Sequence, residues 1–307
     1  MKQKIFSALA WILGILAFAI LTYRIYQTFS KNDFTNALSS LHQTQNIIYL
    51  SLSIFLMPIN WGIESWKWYN ITSNIENIGY KNSVFAVLTG LAFAHLLPAR
   101  SSEFLGKIIF YSDNNKTNIS ILHFVNAAFQ MYVTLFFGLL ALFFYFNFNI
   151  SFHKYFQVII VTGILLLVFI SWLIIYADKL HFLKKLLPSL NYQISHSLKL
   201  ELLFWSVIRY IVFIIQFYFV FKIFNNAIDF NFNFIAQVGI YFLLTSVIPM
   251  VSVIEVAIRA LIGIIAFHSS GNNDLQLAII TTIIWLINLA IPSIAGFVIW
   301  LSIKKNK

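Results

Sequence analysis

Leu96-Leu97-Pro98-Ala99-Arg100-Ser101-Ser102-Glu103 breaks a long apolar run with a proline and then two opposite charges. The same grammar returns at Ile248-Pro249-Met250-Val251-Ser252-Val253-Ile254-Glu255, with Arg259 four residues further on. A charge inside an apolar segment is costly, so it faces a partner, a cavity or a transport path. The two stretches sit at comparable places in the chain: Pro98 and Pro249 are 151 residues apart, Glu103 and Glu255 152.

The surrounding sequence sets the solvent. Hydrophobic residues make up 60% of the 307 and charged residues 10%, against about 45–50% and about 25% in soluble domains. This is the composition of an integral membrane protein. The apolar runs are continuous, unlike the ~10-residue alternating segments of a membrane barrel, and a helix satisfies its own backbone in lipid. There is no cysteine, which excludes disulfides, thiolate metal sites and cysteine nucleophiles. A net charge of +10 would point to nucleic acid in a soluble protein. Here the lysines cluster in short loops, so they orient the chain in the membrane, and no nucleic acid is implied. The Lys2/Lys4 start has no small-residue cleavage motif and reads as an uncleaved first helix.

A span needs about 20 apolar residues. The candidates are 6–26, 46–66, 119–146, 155–176, 200–222 and 275–301. The apolar pieces 84–97, 101–111, 234–248 and 254–267 are shorter and pair up around the two prolines. The expected fold is an all-α polytopic membrane protein: about six spanning helices plus two re-entrant helical hairpins in an inverted repeat. Residues 1–307 form a single integral membrane domain. One half runs over about 46–146 with hairpin 84–111, the other over about 200–301 with hairpin 234–267.

Charge supports this topology. With both termini in the cytoplasm, that side holds Lys2, Lys4, Lys67, Lys81, Lys116, four lysines of 177–199 and three of the tail. The far side keeps Arg24, Lys31, Lys154 and Lys222. The first hairpin then enters from the cytoplasm and the second from outside. Paired interrupted segments at matching positions mark the binding site of many transporters. The rival topology makes all four broken pieces full spans, at lengths short for a bilayer.

Only four of the twenty basic residues are arginines: Arg24, Arg100, Arg209 and Arg259. The sixteen lysines are placed by the sequence in loops or near span ends. Arg100 and Arg259 lie in the broken segments and Arg209 inside span 200–222. A guanidinium binds phosphate with two hydrogen bonds. Arg100 with Glu103 (i,i+3) and Glu255 with Arg259 (i,i+4) also have the spacing to neutralise each other. Arg209 should face the bundle interior, toward a headgroup, backbone carbonyls or a glutamate. Glu64 reads as a local interfacial partner of Lys67, and Trp66-Lys67-Trp68-Tyr69 as an interfacial belt. Glu201 reads as a helix-start acid, and Ser101 or Ser102 as a cap with Glu103 in the first turn. His95 reads as a hydrogen-bonded core histidine. His123, Asn126 and Gln130 make a polar stripe that either lines a cavity or bonds between helices.

No Gly-rich phosphate loop, His-Glu-x-x-His or paired-aspartate motif is present, and no cofactor or metal is implied. Leu97-Pro98-Ala99-Arg100-Ser101-Ser102-Glu103-Phe104 resembles the Pro-Gly/Ala-Arg-x-Gly-Glu segment of the flippase-like membrane domain. That domain is best known as the transmembrane part of lysylphosphatidylglycerol synthase, the multiple peptide resistance factor. The Pro249–Arg259 stretch is similar to its second signature, a proline followed by an acid in a Gly-rich turn. The order of spans fits, and the resemblance covers nearly the whole chain. Two departures concern turn geometry: Ser102 stands where that family has glycine, and no glycine lies between Pro249 and Glu255.

The resemblance implies the translocation half alone, a flippase-like transporter moving a phospholipid or polyprenyl-linked lipid with a polar headgroup between leaflets. Arg100, Glu103, Glu255, Arg259 and, from its depth, Arg209 are the candidate substrate-binding residues. The location implied is a bacterial inner membrane. Two alternatives stand beside this one. A membrane glycosyl or lipid transferase would use a polyprenyl-phosphate donor, with Glu103 or Glu255 as base. A non-catalytic partner would serve a separate lipid-modifying enzyme. A homodimer is compatible with all three.

Overall fold

Each described apolar run forms a helix. The computed structural model describes Tyr23 and residues 43–94, 102–149, 160–166, 194–248 and 254–305; these are helices and their connecting turns, without a strand. The expected spans 6–26 and 155–176 lie outside the described residues, apart from Tyr23 and a helical stretch at 160–166. His95, Pro98, Arg100 and Pro249 lie outside them too.

Among the described residues, four helical stretches are long and apolar enough to cross a membrane. They are α1 (Thr44–Thr72), α4 (Lys116–Asn149), α5 (His196–Phe224) and the continuous run Asp274–Lys305. The last is α8 (Asp274–Trp285), a π turn (Leu286–Ala290) and α9 (Ile291–Lys305). Between them lie shorter pieces: α2 (Gly79–Phe93, 15 residues), α3 (Glu103–Ile108, 6), α6 (Phe232–Val247, 16) and α7 (Glu255–Ala266, 12). At 1.5 Å per residue, α3 extends about 9 Å and α7 about 18 Å, well short of a ~30 Å hydrocarbon core.

Side-chain hydrogen bonds show where the short pieces begin and end. Glu76, just before α2, accepts from the Ser112 backbone N–H and hydroxyl and from Asn115 Nδ2, at 2.7–3.2 Å. The two ends of segment 79–111 thus meet at one end of the bundle. Asn225, just before α6, donates to the Ser270 carbonyl at 3.3 Å, and Gln237 donates to the Ser269 hydroxyl at 2.6 Å. The two ends of segment 232–267 likewise lie together.

These two bases are at opposite ends. Helix α4 starts beside the first, at Asn115, and reaches the second, where the Tyr145 hydroxyl meets Ser269 at 3.0 Å. Helices α1 and α5 run antiparallel: Asn46 donates to the Ile223 carbonyl at 3.1 Å, and Trp66 donates to Glu201 at 3.2 Å. Packing is reciprocal. α1 lies on α5, α2 packs on α9, and α6 packs on α4.

Close approach between helices in lipid relies on small residues and dispersion. Gly90 and Gly106 let α2 and α3 touch backbone to backbone: a Cβ on Gly106 would lie 2.5 Å from the Thr89 carbonyl oxygen and 2.7 Å from Gly90 Cα. At the other end, Phe217, Phe221, Tyr241 and Phe267 interlock with ring centroids 4.7–5.9 Å apart, the spacing of favourable aromatic pairs.

Candidate functional site

Glu64 is the hub of a buried charge network. One carboxylate oxygen, Oε2, accepts from Arg209 Nη1 at 2.7 Å and lies 3.4 Å from Lys67 Nζ. The other, Oε1, accepts from Asn126 Nδ2 at 2.7 Å, with Lys107 Nζ 3.9 Å away. Arg209 also donates from Nε to Asn60 Oδ1 at 2.6 Å. Lys107 pairs with Glu103 at 3.0 Å and lies 3.2 Å from His123 Nδ1. Three cations, from α1, α3 and α5, therefore share two carboxylates.

Helical spacing on α1 explains the hub. Asn60, Glu64 and Lys67 fall at i, i+4 and i+7, one face of the helix, and that face is buried. Aromatic faces cover the cations from the sides. The Arg209 guanidinium sits 4.8 Å from the centroid of Trp61, and Lys107 Nζ sits 4.7 Å from that of Trp68, within cation–π range.

Several expectations change here. Lys67 and Lys107 are each 1% exposed, so these two lysines are interior rather than in loops or at an interface. Lys67 does pair with Glu64, but inside the bundle. In the expected aromatic belt, Trp66 is exposed while Trp68 is buried, because α1 presents successive residues to different faces. Glu201, five residues into α5, accepts from Trp66 and Asn70 of α1 rather than serving the helix start. Ser102 stands at the start of α3, but its hydroxyl donates to the Phe93 carbonyl at 2.6 Å and ties α3 to the end of α2. Glu103 is in the first turn as expected.

The second centre is on α7. Arg259 donates from Nε to Glu255 Oε1 at 2.8 Å, and its Nη2 is 2.8 Å from the same oxygen. The self-neutralising i,i+4 pair is therefore made.

A cavity lies between the two centres. About 220 Å³ of it is open to the centre of a water molecule. Arg209 and Arg259 both line it, with Gln130, Asn288, Trp61 and Trp285 among the other walls. Three polar atoms on these walls are buried without a hydrogen-bond partner: Gln130 Oε1, Asn288 Oδ1 and Trp285 Nε1. Buried polar atoms are nearly always satisfied, so such orphans call for an occupant. The polar stripe on α4 divides between two tasks. Asn126 and His123 bond inside the charge network, whereas Gln130 faces the cavity.

Asn288 is positioned by an irregular helix. Pro292 has no N–H for the Asn288 carbonyl four residues back. That carbonyl takes Trp61 Nε1 at 3.1 Å instead. The Asn288 side chain donates to Gln216 Oε1 at 2.7 Å, and Gln216 donates to the Ser53 carbonyl at 2.8 Å. π turns of this kind recur at functional sites. The sequence signal was present in the Asn288/Pro292 spacing, as it was in Asn60/Glu64/Lys67 and Glu103/Lys107.

Of the five residues expected to bind substrate, Glu103 and Arg209 belong to the Glu64 network, Glu255 and Arg259 form the second centre, and Arg100 lies outside the described residues. Among the described residues, no three His, Asp or Glu side chains group to hold a metal ion.

Comparison with curated proteins and comparison with solved structures each found no match. The family model described as the lysylphosphatidylglycerol synthase TM region matches residues 11–299. That match takes in every helix that builds the two charged centres and the cavity, and the chain belongs to this family.

Proposed function

We propose that this protein is a flippase-like transporter, in which the cavity receives the polar headgroup of a membrane lipid and passes it between leaflets. The observation that carries this reading is the placement of Arg209 and Arg259 on one cavity with unpartnered polar atoms on its walls. A guanidinium fork suits a lipid phosphate. Glu64 and Glu255 hold the two arginines charged and in place while the phosphate meets them from the cavity side. Glu103 joins this site through Lys107 in the Glu64 network, and Arg100 is assigned to it from the sequence alone.

Segments 79–111 and 232–267 act as re-entrant hairpins. In support, each is built of pieces too short to span, each closes on its own base, and the bases lie at opposite ends of α4. The exchange of α2 onto α9 and α6 onto α4 is the packing that an inverted repeat makes. Lys81, Lys116 and the Lys304/Lys305 end make the first base the cytoplasmic side.

The test is headgroup translocation in liposomes carrying wild type, Arg259→Ala or Arg209→Ala. Wild type should move an anionic phospholipid, and each variant should lose at least tenfold of that rate while retaining its helix content. Unchanged rates in both variants would sink the reading. Lipid-linked product formed without leaflet exchange would favour the transferase alternative.

A further inference from the structure

The walls of the cavity say which headgroup it takes, given the transport reading above. We infer that the cavity selects an anionic headgroup bearing neutral hydroxyls, a polyol phosphate, and rejects headgroups that carry an ammonium group. Two features point this way. The first is charge. Among the described residues that line the cavity, two are arginines and none is a carboxylate. The carboxylates that pair with those arginines, Glu64 and Glu255, are not among the lining residues, and the oxygens of Glu64 already serve Arg209, Lys67 and Asn126. An ammonium would enter beside two guanidinium groups with no anion of its own to meet.

The second feature is the hydrogen-bond character of the walls. Gln130 Oε1 and Asn288 Oδ1 are unsatisfied acceptors. The hydroxyls of Thr134 and Ser246, also on the walls, spend their protons on the Gln130 and Phe242 carbonyls, at 3.0 and 2.7 Å. Their remaining lone pairs are acceptors as well. Facing these acceptors are cationic donors suited to phosphate. A hydroxyl group donates to an acceptor without adding positive charge, so a polyol next to a phosphate satisfies both sets. Trp61 and Trp285 add aromatic faces against which the C–H side of a polyol packs. The volume agrees: a water needs about 10–15 Å³ measured this way, so 220 Å³ holds a phosphate and a small polyol.

The experiment is native mass spectrometry of the purified protein with phosphatidylglycerol, its lysyl ester and phosphatidic acid, alongside liposome translocation of the same three. Phosphatidylglycerol should bind at least tenfold more tightly than its lysyl ester. It should also exceed phosphatidic acid, which offers the phosphate without the polyol. Gln130→Glu places a carboxylate on the wall: it should weaken phosphatidylglycerol binding at least fivefold and raise binding of the lysyl ester. Equal or tighter binding of the lysyl ester by wild type would overturn the inference. So would a Gln130→Glu variant that folds as wild type, by circular dichroism, and keeps wild-type selectivity. Selective binding of phosphatidylglycerol with no translocation of any of the three would sustain the headgroup inference and sink the transport reading.

Discussion

Glu64 of α1 and Arg209 of α5 are joined across the bundle interior at 2.7 Å, 145 residues apart in sequence. Both side chains are less than a tenth exposed. Around this pair the positions of Lys67, Lys107, Asn60 and Asn126 are settled, and through Arg209 the network reaches the cavity wall.

Removing Glu64 should therefore cost more than removing any one of its cations. Breaking one partner out of a buried ion pair costs about 3–5 kcal/mol, and Glu64→Ala takes the carboxylate from Arg209 and Lys67 together, while Lys107 keeps Glu103. Lys67→Met should cost less, since Glu64 keeps Arg209 at the shorter distance of 2.7 Å against 3.4 Å. Thermal unfolding in detergent ranks the variants. Lys67→Met equal to or worse than Glu64→Ala would refute the hub.

The contact between α2 and α3 depends on an absent side chain. Gly106→Ala puts a methyl 2.5 Å from the Thr89 carbonyl oxygen, and overpacking of this kind costs about 1–3 kcal/mol. The shift should move Glu103 and Lys107 and slow headgroup translocation severalfold. Gly62→Ala is the matched control: its nearest neighbour, the Tyr80 hydroxyl, stands at 3.6 Å, so stability should hold or rise slightly.

Acid should loosen the base of the first hairpin. Hydrogen bonds from Asn115 and Ser112 hold the Glu76 carboxyl below its ordinary value of 4.5. A carboxyl depressed on folding adds stability that is complete above its unfolded value and fades as pH falls through the folded one. The tie is thus intact at neutral pH and weakens below about 4.5. Hydrogen exchange at the Ser112 amide should be faster in Glu76→Gln than in wild type at pH 7. The gap should narrow as pH falls below 4.5; a gap that keeps its size down to acid unfolding would contradict this.

Chemical labelling reads the topology directly, because the chain has no cysteine of its own. Single cysteines at Asn77 and Asn114 flank the first short segment, and those at Asn226 and His268 flank the second. Within each pair both should react with an impermeant maleimide from the same side of sealed vesicles. The first pair should be reached from the side opposite to the second. Asn77 and Asn114 reacting from opposite sides would mean that the segment crosses the membrane.

Much of the architecture was legible from residue order. Proline followed by charge marked both broken segments, and the short apolar pieces around them appear as α2, α3, α6 and α7 within a few residues of the expected bounds. The Glu255–Arg259 pair was legible because i,i+4 contact is local to one helix. Glu64 was misplaced for the same reason read backwards. Lys67 was near in sequence, so it was the natural partner, while the stronger contact came from Arg209 on a different helix. Lys107 was hidden because its neighbours Glu103 and Phe104 already filled the expected pattern, and nothing local told which face of a six-residue helix would be covered.

By itself, then, the sequence determined the solvent and, among the described residues, the helices. These follow from apolar run length and backbone hydrogen bonding in lipid, which act within one segment. Only the tertiary structure decided which charges meet between helices. The cost of an unpaired charge in the interior is settled between helices, where α1, α3 and α5 bring Glu64, Lys107 and Arg209 together and leave Arg209 facing Arg259 across one cavity.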